Sequence, residues 1–399
     1  MSLPYKFNRL ELAGSLGDLG TLLPIAVGMI VVNGLNPTGV FFSIGVFYIL
    51  TGFYYGVTTP VQPMKVIGAY AIATAMSTGQ VMAAGLMVGS ILMIIGLTGA
   101  IDIIGKYAPK SVIRGVQLST GIILLSGGVR MILGQSQIQQ LKNAAEPYLL
   151  LQHIGPVPVG IVIGIIGFLV TLLLLENKKM PAALVVICSG ILIGWIFGID
   201  TGREDISIQP VFPRFFPVAF PGKADFVVAI FALVLPQIPM TIGNAVIADA
   251  DLSASYFGEH SRKVTHRALC ITMALGNLLS FVFGGMPLCH GAGGLAAHYR
   301  FGARSAGSNL IIGGIFLTMA LFFGHQILSV VSMIPFSILG VLLMFAGGQL
   351  ALTILDMKTR KEMFVPLLML GITLASSLAV GFIAGMILAY ALLSERLSV

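Results

Sequence analysis

Thr59-Pro60-Val61-Gln62-Pro63-Met64-Lys65-Val66-Ile67-Gly68-Ala69 is too apolar for a surface loop and too rich in proline for an ordinary helix. Pro60 and Pro63 remove two backbone donors and push the residues before them out of the α region. Residues 59–65 therefore read as extended chain. Helix is expected to start near Pro63, leaving the amides of Met64, Lys65 and Val66 exposed. A second stretch has the same build: Gly284-Gly285-Met286-Pro287-Leu288-Cys289-His290-Gly291-Ala292-Gly293-Gly294-Leu295-Ala296. There the expected start is near Pro287, exposing the amides of Leu288, Cys289 and His290.

Both stretches lie in a chain built for lipid. Of its 399 residues 57% are hydrophobic and 9% charged, against roughly 25% charged in a soluble domain. That excludes a soluble enzyme, a secreted disulfide scaffold and a disordered protein. The net charge of +7 sits in short loops with no basic face, so nucleic acid is not an expected partner. Cys188, Cys270 and Cys289 are far apart, with no metal-binding or disulfide spacing. No cofactor is expected, and no catalytic or nucleotide-binding motif is found.

About fourteen apolar runs follow one another, among them 12–32, 61–77, 225–248 and 288–300. A membrane-crossing helix needs about 20 such residues, and the 49 glycines suit close helix packing in lipid. The fold class is an all-α membrane protein of about 14 transmembrane segments. Lys6 and Arg9 before the first run resemble a signal peptide. Asp18 and the glycines within that run argue instead for a first membrane helix that is kept. With a cytoplasmic N-terminus and alternating segments, one face receives Lys6, Arg9, Lys106, Lys110, Lys178, Lys179, Arg262, Lys263, Arg267, Arg300, Arg304, Lys358, Arg360, Lys361 and Arg396. The other receives Arg130, Lys142, Arg203, Arg214 and Lys223. This asymmetry predicts a multi-pass plasma-membrane protein with both termini cytoplasmic. Residues 200–224, rich in proline and phenylalanine, are expected along the membrane surface.

Seven runs precede Lys223 and seven follow. An odd number per half makes the halves, 1–222 and 223–399, inverted repeats. The proline-broken stretch is the third segment of each half, so half-helices are expected at segments 3 and 10. Such paired breaks mark a transporter's binding site. Two opposed helix N-termini attract an anion, and Lys65 adds a full charge. The substrate-binding set is expected to be Gln62, Met64, Lys65, Cys289, His290 and Gly291, with Gln237, Thr241 and Asn244 from the eighth segment as hydrogen-bonding groups. His290 reads equally as a packing histidine, and Cys289 as small filler with a useful amide. Asp18, in Gly14-Ser15-Leu16-Gly17-Asp18-Leu19-Gly20-Thr21, is either an N-cap at a helix break or the carboxylate that couples a proton. Glu11 reads as interfacial, Arg114 and Arg130 as anchors, and Asp249, Asp251 and Glu259 as loop residues.

Glu11-Leu12-Ala13-Gly14-Ser15-Leu16-Gly17-Asp18, Pro60-Val61-Gln62-Pro63-Met64-Lys65, and Phe283 to Leu295 followed by Tyr299-Arg300-Phe301-Gly302-Ala303-Arg304 resemble the signature segments of the molybdate transporter family, which is related to the SulP sulfate permeases. The resemblance covers nearly the whole chain. It implies two inverted seven-segment repeats as in uracil-permease-like transporters, a core domain from segments 1–4 and 8–11, and a gate domain from the rest. It also implies molybdate bound between segments 3 and 10. Sulfate permeases usually carry a C-terminal STAS domain; the sequence reaches Val399 soon after its last apolar run, and such a domain is not expected.

The expected function is secondary active import of molybdate, coupled to protons. The alternatives are a sulfate or general oxyanion carrier, or an anion channel. An intramembrane enzyme using Cys289 and His290 is disfavoured because neighbours on one helix do not face each other. Expected partners are molybdate (or sulfate or tungstate), membrane lipid and a second copy of the chain in a homodimer.

Overall fold

The computed structural model describes residues 5–101, 109–175, 177, 182–198, 210–324 and 326–394. Lys106, Lys178, Lys179, Arg203 and Arg396, used above for orientation, lie outside them, as do residues 200–209 of the phenylalanine-rich segment.

The chain opens with α1 (Arg9–Ser15) and α2 (Leu19–Val31), set at 43° to each other. Asn8 caps α1 through the amides of Leu10 and Glu11. Next come α3 (Pro37–Tyr55), β1 (Gln62–Pro63), α4 (Lys65–Ala73) and α5 (Thr78–Thr98). Asn36 with Pro37 starts α3, and a Ser77–Gln80 capping box starts α5, the chemistry that satisfies free amides at a helix start. Then follow α6 (Lys110–Ile132), α7 (Gln137–Leu141), α8 (Val159–Leu174) and α9 (Ala182–Phe197).

The second half begins with α10 (Lys223–Ser261), a 39-residue helix with π turns at Ile230–Val234 and Thr241–Ile247. It continues with α11 (His266–Val282), β2 (Leu288–Cys289), α12 (Ala292–Phe301), α13 (Gly307–Phe323), α14 (Phe336–Ala351), α15 (Arg360–Ala375) and α16 (Leu378–Ala391). Among the described residues five helices are long and apolar enough to cross a membrane alone, or six with the bent α1–α2 pair. Five further apolar helices have 10–17 residues.

The halves of the sequence do not form separate bodies. The most extensive packing joins α6 to α14, α3 to α13 and α5 to α11, each pair taking one helix from each half. Backbones touch in the α6–α14 pair: a Cβ at Gly121 or Gly128 would strike the carbonyl of Gly347 or Gly340, and the reverse holds too. Removing the side chains is what lets two helices come this close in an apolar medium. One group of helices therefore contains α1–α5 and α10–α13, and a second contains α6, α8, α9 and α14–α16.

At the centre of the first group β1 and β2 pair antiparallel, Gln62 opposite Cys289 and Pro63 opposite Leu288. Extended backbone this deep needs partners for its polar groups, and side chains from neighbouring helices supply them. Asn277 accepts from the Leu288 amide (3.1 Å) and donates to its carbonyl (2.7 Å). Asn309 does the same for Thr59, at 3.0 and 2.7 Å. Tyr48 Oη donates to the Val61 carbonyl at 3.2 Å, and Ser280 Oγ to that of Met286 at 2.5 Å. Asn277→Ala strands a buried donor and acceptor, a loss of about 1–3 kcal/mol. A lower melting temperature in detergent is expected; an unchanged one would deny the side chain this backbone-pairing role.

Two expectations about charge are corrected here. Glu11 is not interfacial but buried, accepting from the Arg304 and Ser305 amides and tying α1 to the turn after α12. Asp249 does not lie in a loop. The π turns carry α10 past residue 248, so Asp249 is fully buried within it. Among the anchors, Arg114 forms a two-pronged pair with Asp356, joining the start of α6 to the end of α14. Phe215 and Phe220, in the described part of the phenylalanine-rich segment, rest on Phe283 and Phe281.

Candidate anion site

A cavity of about 350 Å³ lies between the two helix groups. The first group contributes Asp18, Gln62, Lys65, Asn244 and Gly293; the second contributes Gln117, Leu124 and Gln349. Arg300 and Thr353 line it at one end, which is called the Arg300 side below.

Lys65 is the first residue of α4 and is half-buried. Its ammonium reaches across to the start of α12, where a Cβ added at Gly293 would sit 3.8 Å from Nζ. α12 begins at Ala292, five residues after Pro287. The difference from expectation has a cause: Leu288 and Cys289 continue as a strand because they pair with Pro63 and Gln62. The amides presented at this helix start are thus those of Ala292 and Gly293, which have no carbonyl one turn earlier to bind. Gly291 is extended and pressed against Gln62; a side chain there would collide with Gln62 Oε1 and come within 3.0 Å of Asn244 Nδ2.

Asp18 stands at the break between α1 and α2. Its side chain caps no amide, which removes the N-cap reading. Instead it accepts from Gln62 Nε2 at 2.6 Å, is buried, and lies within electrostatic reach of Lys65. Gln62 Oε1 is buried with no partner among the described residues. The cavity thus brings together an ammonium, the carboxamides of Gln62, Gln117, Asn244 and Gln349, the first turn of a helix, one carboxylate and, at one end, a guanidinium.

The remaining expected contacts are absent from the cavity wall. Met64 is buried, its amide bonded to the Pro287 carbonyl. Gln237 Oε1 accepts from the amides of Val66 and Ile67 (3.1 and 3.2 Å), while its Nε2 donates to Thr241 Oγ1. Gln237 and Thr241 therefore finish the start of α4 rather than face the cavity, and the Met64 and Val66 amides are not exposed. Cys289 Sγ lies 3.4 Å from the Pro63 carbonyl. His290 is wholly enclosed: Nδ1 meets the Pro60 carbonyl (2.7 Å), Nε2 meets Thr272 Oγ1 (3.0 Å), and Phe47 and Tyr55 flank the ring. Of its two readings the structure has the packing histidine.

Sequence reasoning missed Asn277 and Asn309, whose signal was a carboxamide inside an apolar run. It also missed the Arg300, Gln117, Gln349 and Thr353 wall, and the burial of Asp249, both of whose oxygens lack a partner among the described residues.

The model described as "Molybdate transporter of MFS superfamily" matches residues 10–124 and 229–350. Molybdate transporter 1 of Arabidopsis thaliana is 30% identical, covering 96% of this chain and 88% of that protein. Molybdate transporter 2 of the same plant is 31% identical over 97% and 87%. Molybdate transporter 1 of Chlamydomonas reinhardtii is 26% identical over 94% and 90%. These relatives are transporters, not enzymes. The fold is similar to the transmembrane domain of the cyanobacterial bicarbonate transporter BicA (TM-score 0.64, 17% identity, 96% of this chain and 98% of that one). It is also similar to the murine Solute Carrier 26 family member A9 anion transporter (TM-score 0.68, 16% identity, 98% and 69%). A cavity walled by an ammonium, carboxamides and a helix start thus sits in a fold similar to these two structures, and by sequence the chain belongs to the molybdate transporter family.

Proposed function

We propose that the protein imports molybdate across the plasma membrane as a proton-coupled secondary transporter. The observation that carries this reading is Lys65 facing the first turn of α12 beside the Gln62–Asp18 pair, in a cavity between two helix groups. The names of the relatives supply the choice of molybdate. In this reading about fourteen segments form two inverted halves, 1–222 and 223–399. α4 and α12 are the half-helices, the first helix group is the moving core, and the second is the gate. Both termini and the Arg300 side face the cytoplasm.

The energetics favour coupling. Carrying a dianion inward against 100 mV, inside negative, costs about 4–5 kcal/mol. Two protons per dianion cancel that charge. A dianion brought beside ionised Asp18 is repelled; beside a protonated Asp18 it is not. Anion and proton therefore bind together, which is the requirement for symport. Molybdate uptake by proteoliposomes should rise several-fold under an inward proton gradient and be competed by tungstate and sulfate but not by uracil. Uptake indifferent to the gradient would remove proton coupling, and no uptake would remove the function.

A broader oxyanion carrier is the second reading. It is favoured by the site itself, because an ammonium, amides and carboxamides suit any tetrahedral dianion. Sulfate competing as well as molybdate would select it.

A further inference from the structure

A second cavity, of about 490 Å³, lies in the same seam on the opposite side. α4 and α6 run from one cavity to the other. Lys65 lines the first cavity and Thr74 the second; Gln117 lines the first, Arg130 the second, and buried Leu124 lines both. At 1.5 Å per helical residue, Gln117 and Arg130 stand about 20 Å apart along α6.

Arg130 is the one charged residue on this wall, and among the described residues no carboxylate pairs with it. Thr373 also lines the cavity, but its hydroxyl is wholly enclosed and lies against Gly381 of α16, not open to the space. Ser376 and Ser377 follow, at the start of α16, a helix of 14 residues. Ser377 Oγ already accepts from the Val380 amide at that helix start, so exposed Arg130 is the charged donor that this space offers. A guanidinium on a wall otherwise lined by neutral side chains attracts an oxyanion, and no acid side chain opposes it.

We infer that this cavity is the entry vestibule of the transport path, where Arg130 captures the oxyanion before it reaches Lys65. The inference rests on the transport reading above. In it, Leu124 is part of the apolar barrier between vestibule and central site. Arg130 also stands in the last turn of α6, where a cation complements the helix dipole. That role alone would touch stability but not substrate capture.

Initial uptake rates of molybdate into proteoliposomes separate the two. Arg130→Gln should raise KM about tenfold at low salt with Vmax little changed, since charge steering acts on encounter. Arg130→Glu should raise it further, Arg130→Lys should retain most of the affinity, and the salt dependence of wild-type uptake should flatten in Arg130→Gln. Arg130→Cys in a Cys188→Ala background gives a readout within one folded protein. A membrane-impermeant cationic thiol reagent should restore uptake, an anionic one should depress it, and molybdate should slow both labellings. If wild type transports and Arg130→Gln and Arg130→Glu keep its KM and salt dependence, the vestibule is overturned while transport stands. If wild type takes up no oxyanion, the transport reading itself has failed.

Discussion

Lys65→Ala is expected to weaken molybdate binding by about a hundredfold in equilibrium measurements on detergent-solubilised protein. The ammonium lies between Gln62 and the start of α12, and among the described residues Arg300 is the other cation on the cavity wall. Removing one partner of a buried charge pair costs about 3–5 kcal/mol, and the half-burial of Lys65 argues for the lower end. Lys65→Arg keeps the charge on a bulkier, planar group that does not fit the same space. It should therefore bind about tenfold more weakly than wild type, between the two. Folding should be little changed in either variant, because the α4 amides are held by Gln237 and not by Lys65. Wild-type affinity in Lys65→Ala would place the anion elsewhere.

The second large effect is expected of Asp18→Asn: accumulation above equilibrium is lost while exchange of internal for external molybdate persists. The substitution is isosteric, and the new amide oxygen still accepts from Gln62 Nε2, so the 2.6 Å contact is retained in kind. What is lost is the ability to carry a proton. Uptake by the variant should no longer respond to a pH gradient. Asp249→Asn is the control. Asp249 is equally buried but does not line the cavity, and its variant should accumulate molybdate as wild type does. The reverse pattern, with Asp18→Asn accumulating and Asp249→Asn failing, would move the coupling proton to α10.

These tests rest on features legible in the sequence to different degrees. Pro60, Pro63 and Pro287 sufficed to mark the two interrupted segments, because proline acts on its own neighbours. They did not fix where the second helix begins. Leu288 and Cys289 are extended because of Pro63 and Gln62, about 226 residues away, and a local rule has no access to such a pairing. The same holds for Gln237, which the eighth segment offered as an oxyanion ligand. Only the packing of α10 against α4 reveals that amides already occupy it. Asp249 was misplaced because α10 runs on past the end of its apolar run, as far as Ser261. Asp18, by contrast, is marked by sequence alone as a carboxylate in a glycine-rich break, and it lines the cavity.

The antiparallel pair formed by Gln62–Pro63 and Leu288–Cys289 has a consequence for direction. It ties Gln62 to the segment leading into α12, so in the transport reading Lys65, Gln62 and the start of α12 travel as one unit while Gln117 and Gln349, from the second helix group, stay behind. Intrinsic affinity would then differ between the two faces only through groups of the second helix group. Net import would come entirely from voltage and proton concentration, and inverting those gradients would turn the same molecule into an exporter.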